Sequence, residues 1–157
     1  MASEEVYQLI TQLRDPNYKV QVGAARRLGD LADPASEKAL LECFAGKTYK
    51  LINREGNPGI YDEILSSAAE ALAKLNTDGA FRTLVARVGA NDKRDQLGVS
   101  AAVYGLGFSR RPGVTQILES IKPHLDADSG DYLRRRIEEV LAGIRAGAPG
   151  KLGGERG

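Results

Sequence analysis

Ala24-Ala25-Arg26-Arg27-Leu28-Gly29-Asp30-Leu31 is the stretch that decides the fold, because the chain repeats its pattern twice. The copies are residues 68–75 and residues 101–108. The first copy begins 44 residues after Ala24, and the second begins 33 residues after the first. All three copies open with a pair of alanines. Self-similarity of this kind predicts a fold built from stacked copies of one structural unit.

The repeat extends beyond the alanine pairs and predicts a helix followed by a second helix in each unit. The same offsets carry Leu40-Leu41 onto Leu84-Val85 and then onto Ile117-Leu118 without a gap. In the first unit, apolar residues recur at positions i, i+4, i+8 and i+11, which is one stripe of an α-helix; these residues are Val20, Ala24, Leu28 and Leu31. A short turn and a second apolar stripe follow. The paired alanines mark where two helices can approach most closely.

We predict an all-α fold with eight helices, because no segment shows the sustained period-2 alternation of a half-buried strand. The predicted helices span residues 3–14, 17–32, 35–45, 60–75, 79–89, 93–108, 112–125 and 130–145. Turn-forming and capping residues separate them, as at Asp33-Pro34 and Asn76-Thr77. Residues 1–145 therefore form a single domain, and the Gly-rich residues 146–157 form a flexible tail.

The first unit, from Val20 to Phe44, resembles the HEAT-like repeat of the phycobilisome-lyase type. The shared residues are Val20, Ala24-Ala25, Leu28-Gly29-Asp30-Leu31, Pro34, Leu40-Leu41 and Phe44. The resemblance covers roughly residues 3–145 in about four repeats. It implies a right-handed α-solenoid, also called an α-α superhelix, whose curved stack of helical hairpins prefers protein partners.

Composition narrows the classes of function. The chain has 22 Lys+Arg and 21 Asp+Glu, a formal net charge of +1, so no global field attracts nucleic acid or an anionic membrane. A single cysteine cannot form an internal disulfide and favours a reducing compartment. The N-terminus has neither a basic nor an apolar leader, and no apolar run approaches the roughly 20 residues of a membrane span. We expect a cytoplasmic protein.

An insertion of about ten residues, which makes the first offset longer than the second, is the first candidate site. It falls between residues 46 and 61, and insertions in repeat proteins often lie on the binding face. Its basic, aromatic and aliphatic side chains suit a protein partner: Tyr49, Leu51, Ile52, Arg54 and Tyr61. The alternative is a tolerated surface loop whose apolar residues pack against the next helix.

Equivalent positions in the repeats give a second candidate. Where the first unit has Arg26 and Arg27, the third has Val103 and Tyr104. If the repeats share one geometry, all four are exposed and mark a contact patch. The alternative is that Gly105 shifts the register, so that Tyr104 and Leu106 fill the core.

Three arginine clusters could align into a stripe that follows phosphates. They are Arg26-Arg27, Arg110-Arg111 and Arg134-Arg135-Arg136. Acidic residues interleave them, which favours solvated helix faces with local ion pairs over nucleic-acid binding.

No catalytic, cofactor or metal site is predicted. His124 is the only histidine and follows Pro123 near a helix end, whereas a metal site needs several ligands. Cys43 lies in an apolar stripe without a nearby base, which favours a small core residue over a nucleophile. We therefore do not expect an enzyme.

These observations favour a protein-protein interaction scaffold that uses the repeat surface and the 46–61 insertion. The resemblance to the lyase-type repeats supports an alternative, an accessory role in attaching bilin to phycobiliproteins or removing it, with a small-molecule chromophore as ligand. Nucleic-acid binding is a third hypothesis.

Overall fold

A computed structural model describes residues 3–47, 58–125 and 130–147, and all regular structure in those ranges is helical. We number the eight described α-helices in chain order. They are α1 Glu4–Gln12, α2 Tyr18–Leu31, α3 Glu37–Phe44, α4 Pro58–Leu75, α5 Asp78–Ala90, α6 Gln96–Leu106, α7 Val114–Ile121 and α8 Gly130–Arg145. Short 3-10 turns precede α3 and α6 and follow α7, at Pro34–Ser36, Lys93–Asp95 and Lys122–His124. The predicted all-α class and the number of helices are confirmed.

The turns are formed by the capping residues that the sequence indicated. Asp33 accepts a hydrogen bond from the backbone amide of Ala35, and Thr77 accepts one from that of Ala80. Helices α2 and α4 are each followed by a residue in the left-handed conformation, Ala32 and Asn76. These caps stop each helix and reverse the chain.

The even-numbered helices contact one another in chain order. Helix α4 packs extensively against both α2 and α6, and α6 packs against α8. The alanine pairs are buried along these contacts, at Ala24-Ala25, Ala68-Ala69 and Ala101-Ala102. Small side chains allow this close packing, because nothing longer than a methyl group separates the helix backbones.

The odd-numbered helices pack chiefly against the even helix that follows each of them. Helix α3 has its main contacts with α4, and α5 has more with α6 than with α4. The sequence grouped each even helix with the odd helix after the short turn, because connection length is visible in a sequence whereas packing is not. Packing therefore pairs α3 with α4, although the 46–61 insertion lies between them.

Glycines stand at the closest points between even helices. A methyl group added to Gly29 would lie 2.7 Å from the Cα of Ala71, and one added to Gly105 would lie 2.7 Å from both the Cβ and the carbonyl oxygen of Ala69. Gly23, by contrast, is an exposed helical glycine with nothing within 4 Å of its added methyl group. Packing therefore requires glycine at Gly29 and Gly105 but not at Gly23.

Gly105→Ala is expected to destabilise the protein by roughly 1–3 kcal/mol, since α4 and α6 must separate to admit a methyl group. Gly23→Ala is the matched control and should stabilise it by roughly 0.5–1 kcal/mol, because alanine is the better helix former and meets no neighbour. Urea unfolding of both variants measures this difference. Equal effects would contradict the close approach of α4 and α6.

Candidate functional site

Four of the five residues of the first candidate site lie outside the described residues: Tyr49, Leu51, Ile52 and Arg54. Tyr61 lies on α4 and is half-buried, and its hydroxyl lies 2.6 Å from where a methyl group on Gly46 would stand. Gly46 and Tyr61, the first and last residues of the insertion, therefore lie next to each other, beside the start of α4.

Arg87 connects the elements that meet near this position. Its guanidinium makes two hydrogen bonds to Asp95, Nε to Oδ2 at 2.7 Å and Nη2 to Oδ1 at 2.8 Å, and it also donates to the carbonyl oxygen of Phe44. The guanidinium stands over the Phe44 ring at 4.5 Å. One side chain of α5 thereby links the end of α3 to the turn before α6.

Arg87→Ala is expected to cost about 2 kcal/mol of unfolding free energy, because Asp95 and the Phe44 carbonyl lose a charged donor in a partly buried position. Arg94→Ala is the control, since Arg94 pairs with Asp92 from a side chain that is 93% exposed, and its loss should change little. Thermal or urea unfolding would measure both. Equal losses would show that the Arg87 contacts contribute nothing beyond an exposed ion pair.

The structure corrects the prediction that Val103 of the second candidate site is exposed. Val103 is completely buried, as is Leu106, so Val103 is not available to a partner. The cause is a shift of register by one residue. Gly105 packs on Ala69, and this contact places Tyr104 rather than Val103 beside Glu70 of α4. The alternative involving Gly105 is correct for Leu106, which is buried, but Tyr104 is half-buried at the surface instead of filling the core.

Arg26 and Arg27 point to different neighbours. Arg26 Nε lies 3.6 Å from Glu70 Oε1 on α4, whereas Arg27 Nε lies 2.9 Å from Glu5 Oε2 on α1. Only Arg26 therefore shares a surface with Tyr104. The two arginines do not form one basic patch.

Glu70 is the centre of this shared surface. Its side chain is 10% exposed, and its carboxylate forms ion pairs with Lys74 Nζ, at 3.1 Å, and with Arg26. The Tyr104 hydroxyl donates a hydrogen bond to Glu70 Oε1 at 3.2 Å. Burying a carboxylate is unfavourable unless it is paired and hydrogen-bonded, and three helices supply the groups that pair with this one.

Lys74 and Phe108 extend the surface toward the ends of the helices. Lys74 Nζ lies 3.0 Å from Asp30 Oδ1 and 5.4 Å from the centre of the Phe108 ring. Phe108, in the turn after α6, stacks edge-on against Tyr104 with ring centres 5.2 Å apart. The ammonium of Lys74 thus joins α2, α4 and the end of α6.

Helix α8 completes the surface through Arg136. The guanidinium of Arg136 lies 5.2 Å from the Tyr104 ring centre and 5.9 Å from that of Tyr132, and it donates a hydrogen bond to the Tyr132 hydroxyl at 3.2 Å. Burial raises the pKa of the nearby Asp62, against the attraction of Arg136. Tyr132 is 45% exposed, so its ring remains open to solvent.

We call these eight residues the cross-helix network. Each even helix contributes one pair of residues four positions apart, the second member of the third pair lying just beyond its helix. The pairs are Arg26 and Asp30, Glu70 and Lys74, Tyr104 and Phe108, and Tyr132 and Arg136. Five of its members were not predicted from the sequence, and the i, i+4 spacing was the signal that could have found them.

A cleft of about 480 Å³ borders the network where α2 and α4 end. Small residues of α2 and α4 line it, together with Lys74, Phe108 and Arg110. Asp30 and Asn76 add polar groups. The cleft can therefore admit a side chain that combines an apolar contact with a charge.

The network also changes how two of its groups titrate. Burial raises the pKa of the Tyr104 hydroxyl, and the charge of Glu70 raises it further. Burial acts to lower the pKa of Lys74, but its hydrogen bonds to Asp30 and Glu70 outweigh burial, so this pKa is also raised. Both groups hold their protons more tightly in the folded than in the unfolded chain.

Stability from these two groups is therefore expected to be complete below about pH 10, near their unfolded pKa values, and to be lost as pH rises through the folded values. Tyr104→Phe removes one titrating group, so it should lose less unfolding free energy than the wild type between pH 9 and pH 11. Urea unfolding at several pH values tests this. A Tyr104→Phe curve parallel to that of the wild type would contradict the assignment.

The described residues contain no group of three or more His, Cys, Asp or Glu side chains placed to hold a metal ion. Cys43 is buried, as expected of a small core residue, and His124 is exposed in the 3-10 turn after α7. None of the described helices combines the length and the apolar character needed to cross a membrane.

The fold and site thus define an all-helical protein with a polar and aromatic surface shared by four helices. No family model, curated protein or solved structure matches the chain. The resemblance to HEAT-like repeats accordingly stays a prediction from the sequence.

Proposed function

We propose that this chain is a short right-handed α-solenoid of HEAT-like repeats that binds a partner protein on the surface of its even helices. The contacts of α2, α4, α6 and α8 in chain order support the solenoid, since stacked repeats contact only their neighbours. In such a stack, the same helix of every unit faces one side. A partner can then contact several units at once.

The cross-helix network is the observation that carries this proposal. Tyrosine and arginine dominate the energetics of many protein interfaces, and Tyr104, Tyr132, Arg26 and Arg136 lie together in it. Phe108 adds an aromatic ring that is only half-buried. Aromatic rings held by neighbouring helices lose little conformational entropy when a partner binds.

The 46–61 insertion remains a second proposed contact. Its described end, Tyr61, lies on α4, the helix that also carries Glu70. A partner bound on the even helices and a partner bound on the insertion are distinguishable, because the two sets of residues can be changed separately. The bilin-related and nucleic-acid roles stay predictions of the sequence.

The test is affinity capture from an extract of the source cells with three tagged variants beside the wild type. Phe108→Ala with Tyr132→Ala alters the network, and Tyr49→Ser with Leu51→Ser and Ile52→Ser alters the insertion. Arg82→Gln, at an exposed position on α5, is the control. We expect a partner to be recovered by the wild type and the control at equal levels and reduced at least tenfold by the network variant.

Circular dichroism of each variant must show unchanged helicity for the comparison to count. Loss with the insertion variant alone would move the contact to residues 46–61. Equal recovery by all variants, or recovery of nothing by the wild type, would refute the proposed surface.

A further inference from the structure

Arg136 has unused hydrogen-bonding capacity at the α8 end of the cross-helix network. A guanidinium carries five N–H donors, and within the described chain Arg136 uses one hydrogen bond, to Tyr132. None of the described carboxylates lies within ion-pair distance of it, although Asp62 attracts it from further away. The guanidinium lies near two tyrosine rings, and its remaining N–H groups can donate two bonds to a carboxylate.

A second unpaired guanidinium lies at the other end of the aromatic row. Arg110 is exposed, lines the 480 Å³ cleft beside Phe108, and has no ion pair among the described residues. From Arg136 the row runs through Tyr104 to Phe108 in steps of 5.2 Å each. An extended peptide spans such a row with about three residues, because each residue covers about 3.3–3.6 Å.

The acidic groups of the network are paired, whereas these two basic groups have no ion pair with any residue that the structure describes. Glu70 is paired with Arg26 and Lys74, and Asp30 is paired with Lys74. The charge that remains for a partner is therefore positive, at Arg136 and Arg110, although the whole chain has a formal net charge of only +1. A partner of complementary charge supplies carboxylates at these two points.

We propose that the surface binds an acidic peptide segment of the partner protein. One carboxylate pairs with Arg136, an apolar or aromatic side chain packs on Tyr104 and Phe108, and a second carboxylate reaches Arg110 at the cleft. The inference rests on the proposed function and names the chemistry of the partner. A nucleic acid fits less well, because its phosphates follow one another at every nucleotide, whereas a peptide can place an uncharged residue between its carboxylates, beside Tyr104 and Phe108.

The experiment begins with selection from a random dodecapeptide display library on the full-length protein. We expect the enriched sequences to be acidic and to contain at least one large apolar residue between acidic ones. The best sequence is then synthesised with a fluorophore, together with a version in which every Glu and Asp is replaced by Gln or Asn. Fluorescence anisotropy gives the affinities, and a 12-nucleotide single-stranded DNA is titrated in parallel.

Arg136→Gln should weaken peptide binding at least tenfold, and the neutralised peptide should lose a similar factor. Arg135→Gln is the matched control, because Arg135 is the exposed neighbour on the same helix and has no hydrogen bond, ion pair or ring interaction with the described network residues. It should change affinity less than twofold. Circular dichroism and thermal unfolding would confirm that both variants remain folded.

Equal losses for Arg136→Gln and Arg135→Gln would overturn the role of Arg136. Enriched peptides that are not acidic, but that still lose binding in the Phe108→Ala and Tyr132→Ala variant, would overturn the acidic partner while leaving the proposed binding surface intact. DNA binding that depends on Arg136, without any acidic peptide, would also overturn it. Absence of both a selected peptide and a captured partner would refute the inference and the proposed function together.

Discussion

The close approach of the even helices is the constraint on which the rest of the structure depends. At Gly29 and Gly105 the neighbouring helix lies so near that a single methyl group would meet its backbone or Cβ. At that spacing, side chains at the edge of the contact reach across to the next helix. The Tyr104 hydroxyl reaches Glu70, and Lys74 reaches Asp30, because the helices that carry them are close. A longer residue at the glycine positions would separate the partners as well as the helices.

The polar surface and the apolar core are therefore consequences of one packing geometry. Glu70 shows the connection most clearly, because a nearly buried carboxylate is tolerated only where charged and hydroxyl groups surround it. Helices α2, α4 and α6 all supply such groups. The ion pair between Lys74 and Asp30 is partly exposed and contributes little alone, but it shares its ammonium with Glu70. The network is more than a set of separate surface pairs because its members share partners.

Sequence periodicity predicted the helices well because the alanine pairs and the capping residues are local signals. It placed α2 and α4 to within a few residues, and Asp33 and Thr77 act as caps. It failed for Val103 because a fixed offset of 33 residues assumes that every pair of helices packs in the same register. The contact of Gly105 with Ala69 decides that register; Gly105 indicated a possible shift, but the sequence does not show which residue of α4 it meets.

The candidate site was predicted only in part for a related reason. Arg26 and Tyr104 were found by comparing equivalent positions, but their connection through Glu70 depends on the shifted register. Arg27 occupies the position next to Arg26 and was treated with it, although helical geometry turns adjacent residues by about 100°. Arg27 consequently pairs with α1.

The charged groups of the network differ in how fully they are ion-paired among the described residues, so the two ends of the surface are not equivalent. Between α2 and α4 every charge has a partner of opposite sign, so a bound molecule would have to displace existing ion pairs. Between α6 and α8 the guanidinium of Arg136 lies near the rings of Tyr104 and Tyr132, and none of the described carboxylates forms such a pair with it. Binding there adds contacts instead of exchanging them, and the guanidinium has already lost part of its hydration to the rings. The ion pairs between α2 and α4 accordingly stabilise the contact between those two helices, and under the proposed function the α6–α8 half is the part in which a partner would gain most.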